Sequence, residues 1–445
     1  MADTRPLRPG IVVILTFAAA IAIGTALLLF PWATPGEERA QPLEAVFTAT
    51  SAITVTGLST VDTATAWTTG GQAVILLLVA LGGFGITATG TLLVVVIGRR
   101  VGMRSQLLAQ AETPGLTLGE VRRMLRFVAL ASLLAEATGA VILTLRWWIA
   151  YHQPLGEAAW NGLFQSVSAY NNAGFSTFSD NLVSYNSDPV ILGVIMILIV
   201  LGGLGAPVLY AMRGRGWRQP RKWTLHVRLT LWATAALIVV GAVLITWFEW
   251  TNPATLGAAS AGDSVLNGLF GSVTARTAGF NSFSYGGATE ETLLVTTILM
   301  FIGGGSASTA GGIKITTFIV LVLMVVAEAR GDRDVNAGNR RISQRTQRTA
   351  VSIAAAYILL STLGVMWLSA VTTFPLRDVL LETVSAIATV GLSTGITAQM
   401  PPHGQIALIA LMFIGRLGAM TLATALALRD RTLTYRLPEG RPIVG

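Results

Sequence analysis

Eight stretches of this chain are apolar for about the length that crosses a bilayer: 10–31, 72–98, 126–150, 190–212, 228–250, 292–327, 348–371 and 404–428. A hydrocarbon core of ~30 Å takes about 20 such residues in a helix. Runs of this kind predict an all-α, multi-pass membrane protein. The composition agrees: 53% of the residues are hydrophobic and 12% charged, about half the charged share of a soluble domain. Cysteine is absent, which excludes disulfides and thiolate metal sites. The first apolar stretch is too long for a signal-peptide core and no small-residue cleavage site follows it, so no cleavable leader is expected.

The formal charge of +8 could suggest a nucleic-acid partner, but its distribution argues for topology. Cations cluster between Arg99 and Arg126, between Arg213 and Arg228, between Arg330 and Arg348, and beyond Arg429, with Arg5 and Arg8 at the N-terminus. The alternate gaps are poor in them, with Arg39, Arg146, Arg276 and Arg377 as exceptions. This is the positive-inside pattern. It places both termini and the three basic gaps in the cytoplasm of a cell-membrane protein, with lipid and not nucleic acid as the surrounding partner.

A phrase recurs in the gaps that face the other side. It reads "TSAITVTGLST" at 50–60, "SVSAYNNAGFST" at 166–177, "SVTARTAGFNS" at 272–282 and "TVSAIATVGLST" at 383–394. Each copy follows a short segment with helical apolar spacing, too short to span, which predicts a re-entrant half-helix. A second echo follows: "LGGFG" at 81–85, "LGGLG" at 201–205, "IGGGS" at 302–306 and "IGRLG" at 414–418. Its third residue lies 26, 29, 25 and 25 positions beyond the glycine of the phrase. Two signatures at a nearly constant offset predict four parallel units, each a helix, pore half-helix, polar turn and helix, around a pseudo-fourfold axis. Their bounds are 1–98, 99–212, 213–327 with an interrupted inner helix, and 328–445 with a short cytoplasmic tail.

Aligned on the glycine, the four phrases read Thr54, Val55, Thr56, Gly57; Asn171, Asn172, Ala173, Gly174; Arg276, Thr277, Ala278, Gly279; and Ala388, Thr389, Val390, Gly391. Only the glycine is constant. Non-helical backbone at membrane depth is tolerated where it is buried in protein or lines a water-filled path. Four such strands around one axis can aim rings of carbonyl oxygens at a dehydrated cation, with glycine supplying the backbone angles. The half-helices would turn their partly negative C-terminal ends to the same cavity. The strands contain no carboxylate, so selection by backbone fits potassium better than sodium or calcium. Arg276, the one cation among them, is expected to point behind the strand and brace it.

The sixth apolar stretch contains "FIGGGSASTAGGIKITTF" at 301–318. Glycine costs about 1 kcal/mol relative to alanine in a helix interior, so five of them should unwind this helix just below the filter. A phosphate-binding loop is the competing reading and fails: no Gly-Lys-Ser/Thr string is present and the context is apolar. "GFGITA" at 83–88 formally matches a dinucleotide fingerprint, but inside a membrane span it reads as close helix packing. Arg416 stands where Gly83, Gly203 and Gly304 stand in the other units. A charge at that depth marks a functional site by default. It would act as a barrier to cations or a latch for the unwound loop; the bland alternative is a side chain that snorkels to the cytoplasm. Glu136 is a second intramembrane charge with no assigned role. His152, His226 and His403 form no ligand spacing, and no enzymatic constellation is present.

These strings, above all "SVTARTAGFNS" and "GGGSASTAGGIK", resemble the potassium transporter superfamily of bacterial Ktr and Trk membrane subunits and plant HKT proteins, over essentially the whole chain. Eight spans without an extra N-terminal pair look closest to the Ktr branch. The resemblance implies potassium as the transported ion, with sodium as a candidate activator, and no organic cofactor bound by this chain. It implies that Gly303, Gly304, Gly305, Ser306, Ala307, Ser308, Thr309, Ala310, Gly311 and Gly312, followed by Lys314, form an intramembrane loop that obstructs the path, with Arg416 beside it. It further implies a homodimer with one pore per protomer and a cytoplasmic ring of nucleotide-binding regulatory subunits. One glycine per strand is fewer than potassium channels carry. The rival on the same scaffold is a sodium-coupled or sodium-permeable cation transporter; a secondary transporter of another substrate is more distant.

Overall fold

The computed structural model describes residues 9–36, 39–99, 118–213, 216–218, 220 and 223–428. Much of the basic first and second gaps, Arg5, Arg8 and everything beyond 428 lie outside these residues. Four times over, a long helix leads into a short one, then a glycine turn, then a further helix that is continuous in the first and fourth passes and broken in the second and third. The first pass comprises α1 (Pro9–Leu28), α2 (Pro42–Ile53), the single turn α3 (Thr63–Ala66) and α4 (Thr69–Arg99). The second comprises α5 (Leu118–Ala150), α6 (Leu155–Tyr170), α7 (Pro189–Leu204) and α8 (Ala206–Met212). The third comprises α9 (Leu225–Glu249), α10 (Ala261–Thr274), α11 (Glu290–Phe301) and α12 (Ile315–Arg330). The fourth comprises α13 (Gln344–Val371), α14 (Leu376–Ile387) and α15 (Pro402–Leu428). A two-residue hairpin, Asn336–Ala337 with Arg340–Arg341, links the third pass to the fourth.

Among the described residues, Arg123–Ala150, Leu225–Glu249 and Gln344–Val371 are each long and apolar enough to cross a membrane, and α7 with α8 makes a fourth as a bent pair. Their outer faces carry exposed apolar side chains such as Trp232, Trp247, Leu134 and Leu359. The centre is polar by comparison: Thr48, Thr50, Thr54, Thr56, Gln165 and Glu382 are all fully buried. Apolar outside and polar within is the arrangement that lipid as solvent favours, because acyl chains compete equally for the apolar surface.

The short helices are the buried elements. They run 12, 16, 14 and 12 residues, the second being longer than its apolar core predicts. Proline at or beside the first turn starts α2, α6 and α14, while Ser260 caps α10 through the Asp263 N–H at 3.2 Å. Each helix buries one large apolar residue at the same level: Phe47, Phe164, Phe270 and Leu381 are all 0% exposed. The long helices close over them at glycines. A Cβ on Gly82, Gly202 or Gly415 would strike the last helical carbonyl of the same pass, that of Ile53, Tyr170 or Ile387.

Two arginines that interrupt the positive-inside pattern are neutralised locally. Arg146 donates to Asp188 at 2.8 Å, and Asp188 in turn caps α7 through the Val190 and Ile191 N–H groups. Arg377 pairs with Glu290 at 3.1 Å.

The apolar stretch 190–212, expected as one span, is broken. α7 and α8 meet at 103° on Gly205, whose φ is +90°. A Cβ there would strike the Ser306 carbonyl, so the elbow exists because the glycine loop of the third pass packs into it. The Ala206 N–H donates to the Ala307 carbonyl at 3.1 Å. Gly205→Ala is expected to destabilise the fold by about 1–3 kcal/mol, the cost of left-handed strain plus the clash. Thermal unfolding in detergent checks this; an unchanged transition would mean that the elbow is not packed this way.

Candidate functional site

The four glycine strands meet. A Cβ built on Gly57 would strike the Ala173 carbonyl and lie 3.1 Å from the Cα of Gly174. One on Gly174 would meet the Ala278 carbonyl at 2.8 Å and the Cα of Gly279 at 2.9 Å. One on Gly279 would strike the Val390 carbonyl, and one on Gly391 the Thr56 carbonyl. Each glycine thus faces the carbonyl before the next glycine, and the fourth returns to the first. The contacts form a closed ring of four strands, in chain order, from positions more than 300 residues apart in sequence.

The backbone within each strand alternates in hand. Val55, Asn172, Thr277 and Thr389 have φ of +56°, +59°, +73° and +49°, and the glycines two residues later are again positive, at +95°, +69°, +78° and +98°. Left-handed conformations for Val and Thr are strained, at about 1–3 kcal/mol each, and persist only where the surroundings impose them. What they achieve is visible in the hydrogen bonds. The N–H groups of Thr56 and Gly57 both turn back to Ser51, at 2.8 Å and 3.0 Å, and those of Val390 and Gly391 both turn to Ser385 at the same distances. Ala173 donates to the Ser168 carbonyl at 2.8 Å, and Ala278 to that of Thr274 at 2.9 Å. In each strand the donors thus turn back to the short helix that precedes them. All twelve residues ahead of the glycines have buried side chains.

The hydroxyl anchor Ser51, Ser168, Thr274 or Ser385 was not singled out from the sequence, although its recurrence is legible there. It lies six residues before the glycine in three strands and five in the third. The third helix also ends earlier relative to that anchor, capped at Ala275, four residues before its glycine where the others are capped three before theirs. Alignment on the glycine alone therefore pairs Arg276 with residues that end a helix elsewhere.

Those end residues point behind the strands. Thr54 donates to the Thr50 carbonyl at 2.7 Å, and Asn171 donates to Glu136 at 2.9 Å. Ala388 caps α14 and offers no polar side chain. Arg276 is buried and donates to the Thr234 carbonyl on α9 at 3.4 Å and to the Gly303 carbonyl at 3.2 Å. Glu136 sits off the axis, beside a cavity of about 280 Å³ between α4, α5 and the α7–α8 elbow.

Residues 302–314 form the unwound segment between α11 and α12. A bridge closes its base: Gly303 donates to the Ile313 carbonyl at 2.9 Å, and Ile313 to that of Phe301 at 3.1 Å. The Gly305 N–H reaches the Gly203 carbonyl at 2.8 Å, the Ser308 hydroxyl the Gly305 carbonyl at 2.7 Å, and Ser306 pairs with Thr316 at 3.2 Å. Ala307 and Gly312 take left-handed turns, and Gly304 packs against Ala310. The tip lies against the strands: Gly311 donates to the Thr277 hydroxyl at 3.2 Å and abuts Ala388 and Thr389.

Thr309 is the hub. Its hydroxyl pairs with the Asn172 amide at 3.1 Å, its N–H donates to the Gly202 carbonyl at 3.3 Å, and its carbonyl accepts from Arg416 at 2.6 Å. Lys314 donates to the neighbouring Ala310 carbonyl at 2.5 Å. Arg416 is buried at 4% exposure and directed at the loop. Beyond the glycines, on the opposite side from this loop, the four strands open into a cavity of about 520 Å³ whose rim includes Asp62 and Asp180.

A polar, glycine-ringed centre inside an apolar exterior defines a membrane transport protein. The chain belongs to the TrkH family of cation transport proteins, whose family model matches residues 10–432. The family is one of ion transporters, so the chain is not an enzyme. A Bacillus subtilis protein named Ktr system potassium uptake protein B is 37% identical over 440 residues, spanning 98% of this chain and 97% of its own length. A protein of Enterococcus hirae named potassium/sodium uptake protein NtpJ is 30% identical, spanning 99% of this chain and 98% of its own. The fold is similar to the crystal structure of the potassium transporter TrkH from Vibrio parahaemolyticus, with a TM-score of 0.74 at 17% identity, over 95% of this chain and 85% of that one.

Proposed function

We propose that this chain is the membrane subunit of a potassium uptake system, and that the ring of Gly57, Gly174, Gly279 and Gly391 with the carbonyls before them is its selectivity filter. The closure of that ring is the observation that carries the reading. Residues 303–312 with Lys314 form the gate, and Arg416 latches it. The helices make eight crossings and four re-entrant pore helices in four parallel repeats, 1–98, 99–212, 213–327 and 328–445, with both termini in the cytoplasm. The resemblance to the Ktr branch supports a homodimer and a nucleotide-binding cytoplasmic regulator.

A carbonyl ring replaces the hydration shell of a cation, and one glycine per strand places fewer such rings in series than a longer filter would. This makes sodium the relevant competitor, and the Enterococcus hirae relative named for both ions favours a second reading in which sodium also passes. Flux of each ion into vesicles containing the reconstituted protein separates the two. Potassium flux is expected to exceed sodium flux. Gly174→Ser, which adds a side chain at φ +69° against the third strand, is expected to lower that ratio about tenfold. Equal flux of the two ions in the wild type would overturn the potassium reading; a ratio unchanged by Gly174→Ser would overturn the filter.

A further inference from the structure

Downstream of the glycines, the fourfold pattern splits into two pairs. In the second repeat Gln165, nine residues before Gly174 and fully buried, donates to the Ser176 hydroxyl at 2.6 Å. In the fourth, Glu382 stands nine residues before Gly391, also fully buried, and accepts from the Thr397 and Ser393 hydroxyls. Ser176 and Ser393 both lie two residues past their glycines. The Thr397 and Ser393 hydroxyl oxygens lie 3.0 Å apart, which makes the fourth contact a three-membered cluster. The other two repeats have no such link. Thr48 occupies the position in the first, and its hydroxyl has no hydrogen-bond partner. In the third, neither Phe270 nor Gly271 offers a polar side chain there. Correspondingly, Ser59 and Asn281, two past their glycines, turn to the carbonyls two residues further on, those of Val61 and Phe283.

The ring contacts run from the first strand to the second, third and fourth, so the second and fourth face each other across the axis. One diagonal of the outer rim is tied to its pore helices by long buried side chains. The other diagonal lacks a side-chain tie at this position: Ser59 makes only its local turn, and the third strand is held instead by the Thr274 hydroxyl, which donates to the Phe280 carbonyl at 2.7 Å, and by Asn181, which accepts from the Asn281 N–H at 3.4 Å. We infer that Glu382 and Gln165 are positioning residues for ion selection, fixing the separation of the second and fourth strands at the rim. The inference rests on the filter reading above.

Glu382 uses one oxygen in this contact; its Oε2 is buried without a partner. A glutamine amide oxygen can accept the same hydroxyls, so hydrogen bonding, not charge, carries the effect. The test is the potassium-to-sodium flux ratio of the full-length protein in vesicles. Glu382→Gln is expected to keep the wild-type ratio, while Glu382→Leu and Gln165→Leu each lower it about fivefold, the scale of one net hydrogen bond. Thr48→Val, at the unlinked position, leaves it unchanged. Thr397→Val, a near-isosteric change, lowers the ratio in the same direction and serves where Glu382→Leu does not fold. The inference is overturned if the glutamine loses as much selectivity as the leucine, if Thr48→Val loses as much, or if Glu382→Leu or Thr397→Val loses none. Gly174→Ser in the same series separates the two levels. If it alone shifts the ratio, the clamp falls and the filter stands; if nothing does, both fall.

Discussion

Valine in place of Gly391 is expected to abolish potassium uptake, lowering it at least about 100-fold, equivalent to about 2.7 kcal/mol on the barrier. Two effects add. The residue sits at φ +98°, a conformation that is an outlier for any β-branched side chain. Its Cβ would also strike the Thr56 carbonyl, a backbone atom that cannot swing aside as a side chain would. The first and fourth strands must then separate, and the carbonyl between them moves off the axis. Uptake by cells dependent on this protein measures the loss, with size-exclusion of the purified variant showing that it still folds. Wild-type uptake by a folded Gly391→Val protein would remove the ring from the mechanism.

Arg416→Ala is expected to act in the opposite direction, raising flux about tenfold at an unchanged potassium-to-sodium ratio. The guanidinium holds the loop through the Thr309 carbonyl at 2.6 Å, and a charged hydrogen bond contributes about 1.5–3 kcal/mol. Its Nε and Nη2 are buried without hydrogen-bond partners, and on the gate reading proposed above its positive charge also opposes a passing cation. Its removal frees the loop and lowers that barrier together. Single-protein flux in vesicles, with no regulator added, is the measurement. Flux that falls or stays constant would mean that Arg416 supports the conducting state. No carboxylate is orphaned by the change, because none pairs with Arg416 among the described residues.

Both substitutions fall on residues that the chain advertises. A glycine repeated four times in a Thr-rich phrase, and an arginine where three glycines are expected, stand out because each conflicts with an apolar helix in lipid. The unwinding near 302–314 was legible for the same reason, through five glycines in one span. Other parts were not legible. The elbow at Gly205 looks in sequence like any small residue in a packed helix. Thr309 looks no different from the hydroxyl residues beside it, yet its partners Asn172 and Arg416 lie 137 and 107 residues away. The third strand's missing residue was concealed by aligning on the glycine, because the shortening lies where its helix ends, one residue past Thr274 and not three past the anchor as in the others.

What the sequence determined by itself was everything that depends on a conflict between local composition and lipid: helices, repeats, the four turns and the broken span. These follow from backbone propensity and the need to satisfy polar groups, which act within a few residues. The tertiary structure alone decided which carbonyl meets which glycine, that Arg276 turns to Thr234 and Gly303, and that Gln165 and Glu382 tie the residue two past the glycine to the short helix in two repeats and not in the other two. Each of these is set by contacts between side chains and backbone brought together from separate repeats. No single repeat contains that information, because four nearly equivalent phrases become different only once they surround the same axis.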